Sequence, residues 1–462
     1  MNPTNPNQSD LLATESIGKL LFRLSVPAVA AQLINMLYNI VDRIYIGHMP
    51  GDGALALTGL GVCLPIILIV SAFASLVSMG GAPRASIALG RGDHEAAERT
   101  LGNCFLLQIC VSVILTILML LWNEPFLFAF GASANTIGYA TDYMNIYAIG
   151  TIFVQLTLGM NAFITAQGFA KTGMLTVLIG AICNIILDPI LIFGFHMGVK
   201  GAALATIISQ AVSAIWVVHF LLSQKTYVKL RKKYVRLQAK IILPCMALGL
   251  APFIMQSSES ILSLCFNSSL LHYGGDIAVG AMTILASVTQ FAMLPMQGLA
   301  QGAQPISSFN YGAKNTARVK QTFLILLRSS LIYSILLWGL VMLFPQMFAR
   351  MFASDVALLE FTTKVLPVYC FGMFVFGAQT ACQMTFISLG KAGSSIIVAI
   401  VRKFILLIPL IYILPHFIQN KTMAVYLAEP VADIIAVTFT VCLFAVTFRK
   451  ALRALDKPEA ES

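Results

Sequence analysis

The sequence predicts an all-α polytopic membrane protein, with about twelve transmembrane helices in two pseudo-symmetric six-helix bundles. Three observations predict it. Of 462 residues, 58% are apolar and only 10% charged, whereas a soluble protein has roughly 45–50% and about 25%. The apolar residues fall into runs such as Leu101–Leu121, Leu204–Leu222 and Phe323–Phe344, each long enough to cross roughly 30 Å of hydrocarbon as a helix. The second half repeats the first in register. An outer-membrane barrel is excluded, because its segments would be short and alternating.

Polar breaks punctuate the spans in order. Spans at 20–46 and 55–81 precede a break with Arg84, Arg91 and Arg99, and spans at 101–122 and 138–166 precede Lys171. Spans at 174–196 and 202–223 lead to the longest break, where Lys225, Lys229, Arg231, Lys232, Lys233, Arg236 and Lys240 crowd together. Spans at 242–272 and 278–303 precede Lys314, Arg318 and Lys320, and spans at 322–345 and 362–388 precede Lys391. The last two, 394–416 and 423–447, lead to a tail with Arg449, Lys450, Arg453 and Lys457. The chain therefore divides into an N-terminal six-helix lobe (1–224), a basic linker (225–240) and a C-terminal six-helix lobe (241–462).

Breaks after odd-numbered spans carry only Lys200, Arg350, Lys364 and Lys421. This bias predicts a multi-pass protein of the cell membrane, with both termini and the central linker in the cytoplasm. It also accounts for the net charge of +10 without nucleic acid, and no nucleic-acid partner is expected. The opening MNPTNPNQSD lacks a basic n-region, so no cleavable signal is expected. Nine scattered cysteines show no zinc spacing. No GxxxxGK[ST], GxSxG or HExxH motif occurs, so the protein reads as neither an ATPase nor an enzyme.

The repeat keeps an offset of 222 through Gly80/Gly302, Pro83/Pro305, Ser86/Ser308, Phe130/Phe352, Tyr147/Tyr369 and Gly168/Gly390. The offset becomes 220 at Pro189/Pro409 and 225 at Pro27/Pro252. Each unit holds an even number of spans, so the copies are parallel repeats about an axis along the membrane normal. Substrate sites lie at such repeat interfaces, between bundles that rock in alternating access.

With Pro27 in the first span, NIVDRIYIG (Asn39–Gly47) closing it, GGAPRASIALGRGD (Gly80–Asp93) ending the second and NIILDPILIFG (Asn184–Gly194) in the fifth, the chain resembles the multidrug and toxic compound extrusion (MATE) family along nearly its whole length. The resemblance implies secondary active efflux of cationic or amphipathic drug-like compounds, by antiport with H+ or Na+. No organic cofactor is expected, only that coupling ion, and the protein is expected to work as a monomer.

Ionisable residues deep in a span are functional candidates, because charge in hydrocarbon is expensive. Five acids qualify: Asp42, Asp188, Glu259, Glu429 and Asp433. Asp42 shares a helix face with Tyr38, and Asp188 shares one with Asn184. Residues matching Tyr38, Asp42, Asn161, Asn184, Asp188 and Thr206 line the cation or proton pocket in MATE relatives, so the resemblance implies the same cluster here. A Na+ would lie among Asp42, Asn184, Asp188 and Thr206, whose oxygens are hard ligands. At the repeat-related positions the second lobe has Asn267, Phe404, Ile408 and Tyr426, so the fold does not need the acid pair. The bland alternatives are an Asp42–Arg43 pair and a helix-capping role.

Substrate candidates are Met255, Gln256, Glu259, Gln290, Met293, Glu429 and Asp433. Glu259 is equally a substrate or proton group and a structural hydrogen-bonding one. Glu429 and Asp433 share a face, and Arg402 and Lys403 are placed to neutralise one of them. Met36, Met160, Met282 and Met296 suggest an adaptable cavity lining. The alternatives are a lipid-linked oligosaccharide flippase of the same superfamily and an exporter of an endogenous metabolite. The flippase would need cavity arginines for a pyrophosphate, a need that Arg402 and Lys403 alone address.

Overall fold

The computed structural model describes residues 8–49, 53–351 and 355–456; Phe352 of the repeat, Lys457 of the tail and residues 1–7 lie outside them. Among the described residues there are helices, turns and bends but no strand. A short helix, Gln8–Thr14, precedes spans Ile17–Gly47, Gly53–Gly90, His94–Ala129, Ile137–Ala166, Ala170–Gly194 and Val199–Leu222. The second half holds Ala239–Gly312, Thr316–Leu343, Val356–Ser388, Ala392–Phe417 and Lys421–Leu455.

Ala239–Gly312 has 74 residues, about 110 Å at 1.5 Å per residue, far beyond one bilayer. It is two spans. Gly275 takes φ +67° and ψ −165°, a conformation that a side chain would strain. Counting the break gives twelve spans, six in each half.

Several helices outrun the hydropathy-based cores, because hydropathy marks only the stretch in lipid while capping decides where a helix stops. Asp93 starts the third span by accepting from the Ala96 N–H (2.9 Å), and Asn315 starts the ninth by accepting from the Arg318 N–H (3.1 Å). These caps are 222 residues apart, the register of the repeat. Spans five and eleven share a second irregularity: π-helical segments at Ile190–Gly194 and Val401–Leu407 adjoin Pro189 and Pro409. A proline supplies no N–H, so the hydrogen-bond ladder must shift around it.

The two halves merge at the end carrying the described termini. One core there mixes Leu20, Leu24, Val77, Leu101 and Phe163 with Cys245, Ile306, Phe309 and Leu326. Glycines make the close approach possible: a Cβ on Gly80 would strike the Cys245 backbone, and one on Gly249 that of Leu76. Towards the other end the cores separate. One holds Ile46, Leu60, Tyr143 and Ile192; the other holds Leu262, Phe266, Leu285 and Val425. The result is a V closed at the terminus end.

The basic segment between the halves is no free tether. The Gln167 side-chain carbonyl accepts from the Thr226 hydroxyl (2.8 Å) and the N–H groups of Tyr227 (2.9 Å) and Val228 (2.8 Å). Arg231 pairs with Glu98 at 2.6 Å, and the Gln238 N–H donates to Asn103 at 2.7 Å. Residues 226–238 thus ride on the first half.

Candidate functional site

The first and fifth spans pack along one another, bringing Asp42 towards Asp188 in the open half of the V. Asp188 is 0% exposed and Asp42 8%. Asp188 ends the regular part of its helix, where Pro189 and the π-helical segment begin. Asn184, one turn earlier, donates to one Asp188 oxygen at 3.2 Å. Asp42 lies within electrostatic reach of Asp188 and of the Tyr38 hydroxyl.

Asp42 Oδ1, Asp188 Oδ2 and Asn184 Oδ1 are buried and have no hydrogen-bond donor among the described residues. Arg43, the alternative partner of Asp42, is exposed and acts on it through its charge, with no ion pair between the two among the described residues. A buried oxygen without a donor is costly, and a buried carboxylate without a counter-charge more so. The arrangement therefore suits a bound proton or a small hard cation.

Thr206 lies beside the Tyr143 hydroxyl, which is itself within electrostatic reach of Asp42. Tyr147 stacks on Tyr143 (centroids 6.2 Å apart) and faces Tyr38. These two tyrosines are the pocket residues that sequence reasoning missed. Their four-residue spacing was a signal, but Tyr147 stood out only as a marker of the repeat.

Asn161 is a correction: the structure does not bring it to the acids. Its Nδ2 donates to the Gly173 carbonyl at 3.2 Å, and Gly173 precedes Asp188 by fifteen residues, about 22 Å of helix. The fourth span runs antiparallel to the first, so a residue near its C-terminal end lies at the closed end of the V.

The second half has neither acid at the repeat-related positions and instead pairs Asp433, Glu429 and Glu259 with bases of the eleventh span. Arg402 Nε donates to Asp433 Oδ1 at 2.8 Å, Nη2 lies 2.8 Å from the same oxygen and 3.5 Å from Glu429, and the guanidinium sits 4.7 Å over the Phe376 ring. Lys403 donates to Glu259 at 2.7 Å, and its charge also reaches Glu429. The direct ion pairs of Glu429 and Asp433 are made by Arg402, the Lys403 charge adds to the field at Glu429, and Glu259 has a base that spacing did not reveal.

The remaining substrate candidates scatter. Gln256 accepts from the Ser75 hydroxyl at 3.0 Å across the seam between the halves. Met255 is half-buried, Gln290 is exposed and Met293 packs against the second half's core. Met160, Met282 and Met296 are buried in cores, which corrects their reading as cavity lining. Among the described residues, no group of three or more His, Cys, Asp or Glu side chains is disposed to hold a metal ion.

The MatE family model matches residues 27–190 and 251–413, one segment in each half. The multidrug export protein MepA of Staphylococcus haemolyticus is 25% identical over 399 residues, covering 86% of this chain and 87% of that protein. MepA of Staphylococcus aureus is 24% identical over 396 residues, with the same coverage. A crystal structure of MATE in the bent conformation superposes with a TM-score of 0.91 at 22% identity, covering 98% of this chain and 100% of that one. The MATE multidrug transporter DinF-BH, solved in complex with rhodamine 6G, superposes with a TM-score of 0.88 at 35% identity, over 97% of this chain and 99% of that one.

Proposed function

This chain belongs to the MatE family, and from that premise we propose that it is a secondary active multidrug exporter. It exchanges cationic or amphipathic drug-like compounds for H+ or Na+ by alternating access. One observation carries the coupling: the donorless buried oxygens of Asp42, Asp188 and Asn184, which a proton or Na+ would satisfy. The export activity in the names of the MepA relatives and the rhodamine 6G bound to DinF-BH support the cargo class.

Binding the ion neutralises the pocket and lets the first and fifth spans close together. The glycine seam between Gly80 and Gly249 then serves as the pivot about which the halves rock. The flippase reading is disfavoured, because Arg402 and Lys403 are both engaged by carboxylates and offer a pyrophosphate little free charge. An exporter of an endogenous metabolite differs only in cargo.

Cells overproducing the protein are expected to extrude ethidium, and to stop when the gradient of the coupling ion is collapsed. Collapsing the pH and sodium gradients separately identifies that ion; extrusion that survives collapse of both overturns the reading. The protein sits in the cell membrane with both termini and residues 225–240 on the cytoplasmic side, as the distribution of Lys and Arg directs. Tags in that segment and after residue 455 are expected to resist labelling from outside intact cells, and labelling of either one reverses the orientation.

A further inference from the structure

The basic segment does more than ride on the first half; it walls a cavity. The turn Lys232–Tyr234 lies so close on the third span that a Cβ on Gly102 would strike the Tyr234 carbonyl. Both sides of the turn are fastened, by the Arg231–Glu98 pair and by the hydrogen bond from the Gln238 N–H to Asn103. Asn103 is itself buried, and its Nδ2 donates to the Arg99 carbonyl at 2.9 Å. Between turn and helix is an open cavity of about 310 Å³. That is about ten times the roughly 30 Å³ that a water occupies in the liquid, which is room for a phosphodiester.

The charge around this cavity is uneven. Arg99, Lys233 and Arg236 line it against a single acid, Glu95, which Arg99 engages at 2.6 Å. Three bases against one acid leave two positive charges uncompensated. The Tyr234 ring steadies two of the bases: Lys233 Nζ lies 4.4 Å and Arg99 Cζ 5.7 Å from its centroid, both within cation–π range. Orientation in a membrane needs only that Lys and Arg be on the proper side. It does not need them set around a cavity by a packed turn. The chain then enters the seventh span past Leu237 and Leu243, which are 51% and 64% exposed. Leucines open to the outside on either side of Lys240, at the start of a span, stand where the headgroup layer gives way to acyl chains.

We propose that this cavity seats the phosphate of an anionic phospholipid from the leaflet at the closed end of the V, with its acyl chains along Leu237 and Leu243. The guanidinium groups of Arg99 and Arg236 offer forked donors that match phosphate oxygens, and the Lys233 ammonium adds a point charge. The exposed leucines favour a lipid over a free phosphate, which would gain nothing from them. The bound lipid ties the basic segment, already fastened to the first half, to the membrane beside the first turn of the seventh span, which belongs to the second. The site is separate from the acid pair in the open half of the V, and it depends on neither the cargo nor the coupling ion.

The test is binding of phosphatidylglycerol, fluorescently labelled on an acyl chain, to the full-length protein stripped of lipid in a neutral detergent, followed by anisotropy. Unlabelled phosphatidylglycerol is expected to displace the probe roughly tenfold better than phosphatidylcholine or glycerol 1-phosphate does. Equal displacement by phosphatidylcholine would mean that net charge is not read, and equal displacement by glycerol 1-phosphate would mean a free-phosphate site. Either result overturns the proposal. Lys233→Gln/Arg236→Gln removes two exposed bases and is expected to weaken binding roughly 25-fold, at about fivefold for each base near an anionic lipid. Lys225→Gln/Lys229→Gln removes the same charge from the same segment outside the cavity, and is expected to cost less than about twofold, because solvent and salt screen such charges. Equal losses in the two double variants would show a diffuse basic surface rather than a seat, and would overturn the proposal. So would unchanged binding in Lys233→Gln/Arg236→Gln. Should that variant fail to fold, Arg236→Gln, with an expected loss of about fivefold, is compared with Lys229→Gln in the same way.

Discussion

Asp188→Asn is expected to abolish gradient-driven efflux while leaving the protein folded. The substitution is nearly isosteric, and the Asn184 amide can still donate to the retained Oδ1, as it does at 3.2 Å now. What disappears is the charge, and with it the reason for a proton or Na+ to bind at a side chain that is 0% exposed. A single charge moving across 100 mV is worth about 2.3 kcal/mol, or a roughly 50-fold drug gradient at 1.4 kcal/mol per decade. Loss of coupling should therefore bring dye accumulation to that of cells without the protein. Efflux at the unmutated rate, in a variant shown to be present in the membrane at equal amount, removes Asp188 from the mechanism.

The double variant Asp42→Asn/Asp188→Asn is expected to transport hardly worse than either single variant. The two carboxylates are within electrostatic reach of each other, and each has a buried oxygen with no donor among the described residues. Groups in one low-dielectric pocket titrate and bind ions as a unit, so removing either partner empties the same site. Independent acids would give losses that multiply. Residual efflux rates of the three variants, measured at matched expression, separate the two cases. A double variant as slow as the product of the single effects would reject a shared site. Tyr143 is outside this comparison, because it reaches Asp42 through a hydroxyl rather than a charge.

Much of this protein was determined by its sequence alone. Segment length and apolar content place a chain in lipid whatever its tertiary contacts, because every polar backbone group there must be satisfied within its own helix. The 222-residue register therefore exposed the duplication, and the depth of Asp42 and Asp188 exposed the acid pair. Even Asn161 was partly legible, since alternating span direction places it at the opposite depth from Asp42. Azimuth was a different matter. Hydropathy says how deep a residue lies but not which neighbour it faces, and that is set by how helices rotate and lean when their side chains interlock. Nothing in the spacing of Glu259 and Lys403, 144 residues apart, marks them as partners. Nor does it show that the direct ion pairs to the span-twelve acids would fall to Arg402. The glycine seam and the Gln167 anchorage of the basic segment are likewise consequences of packing. They depend on distances between spans that only the folded chain sets.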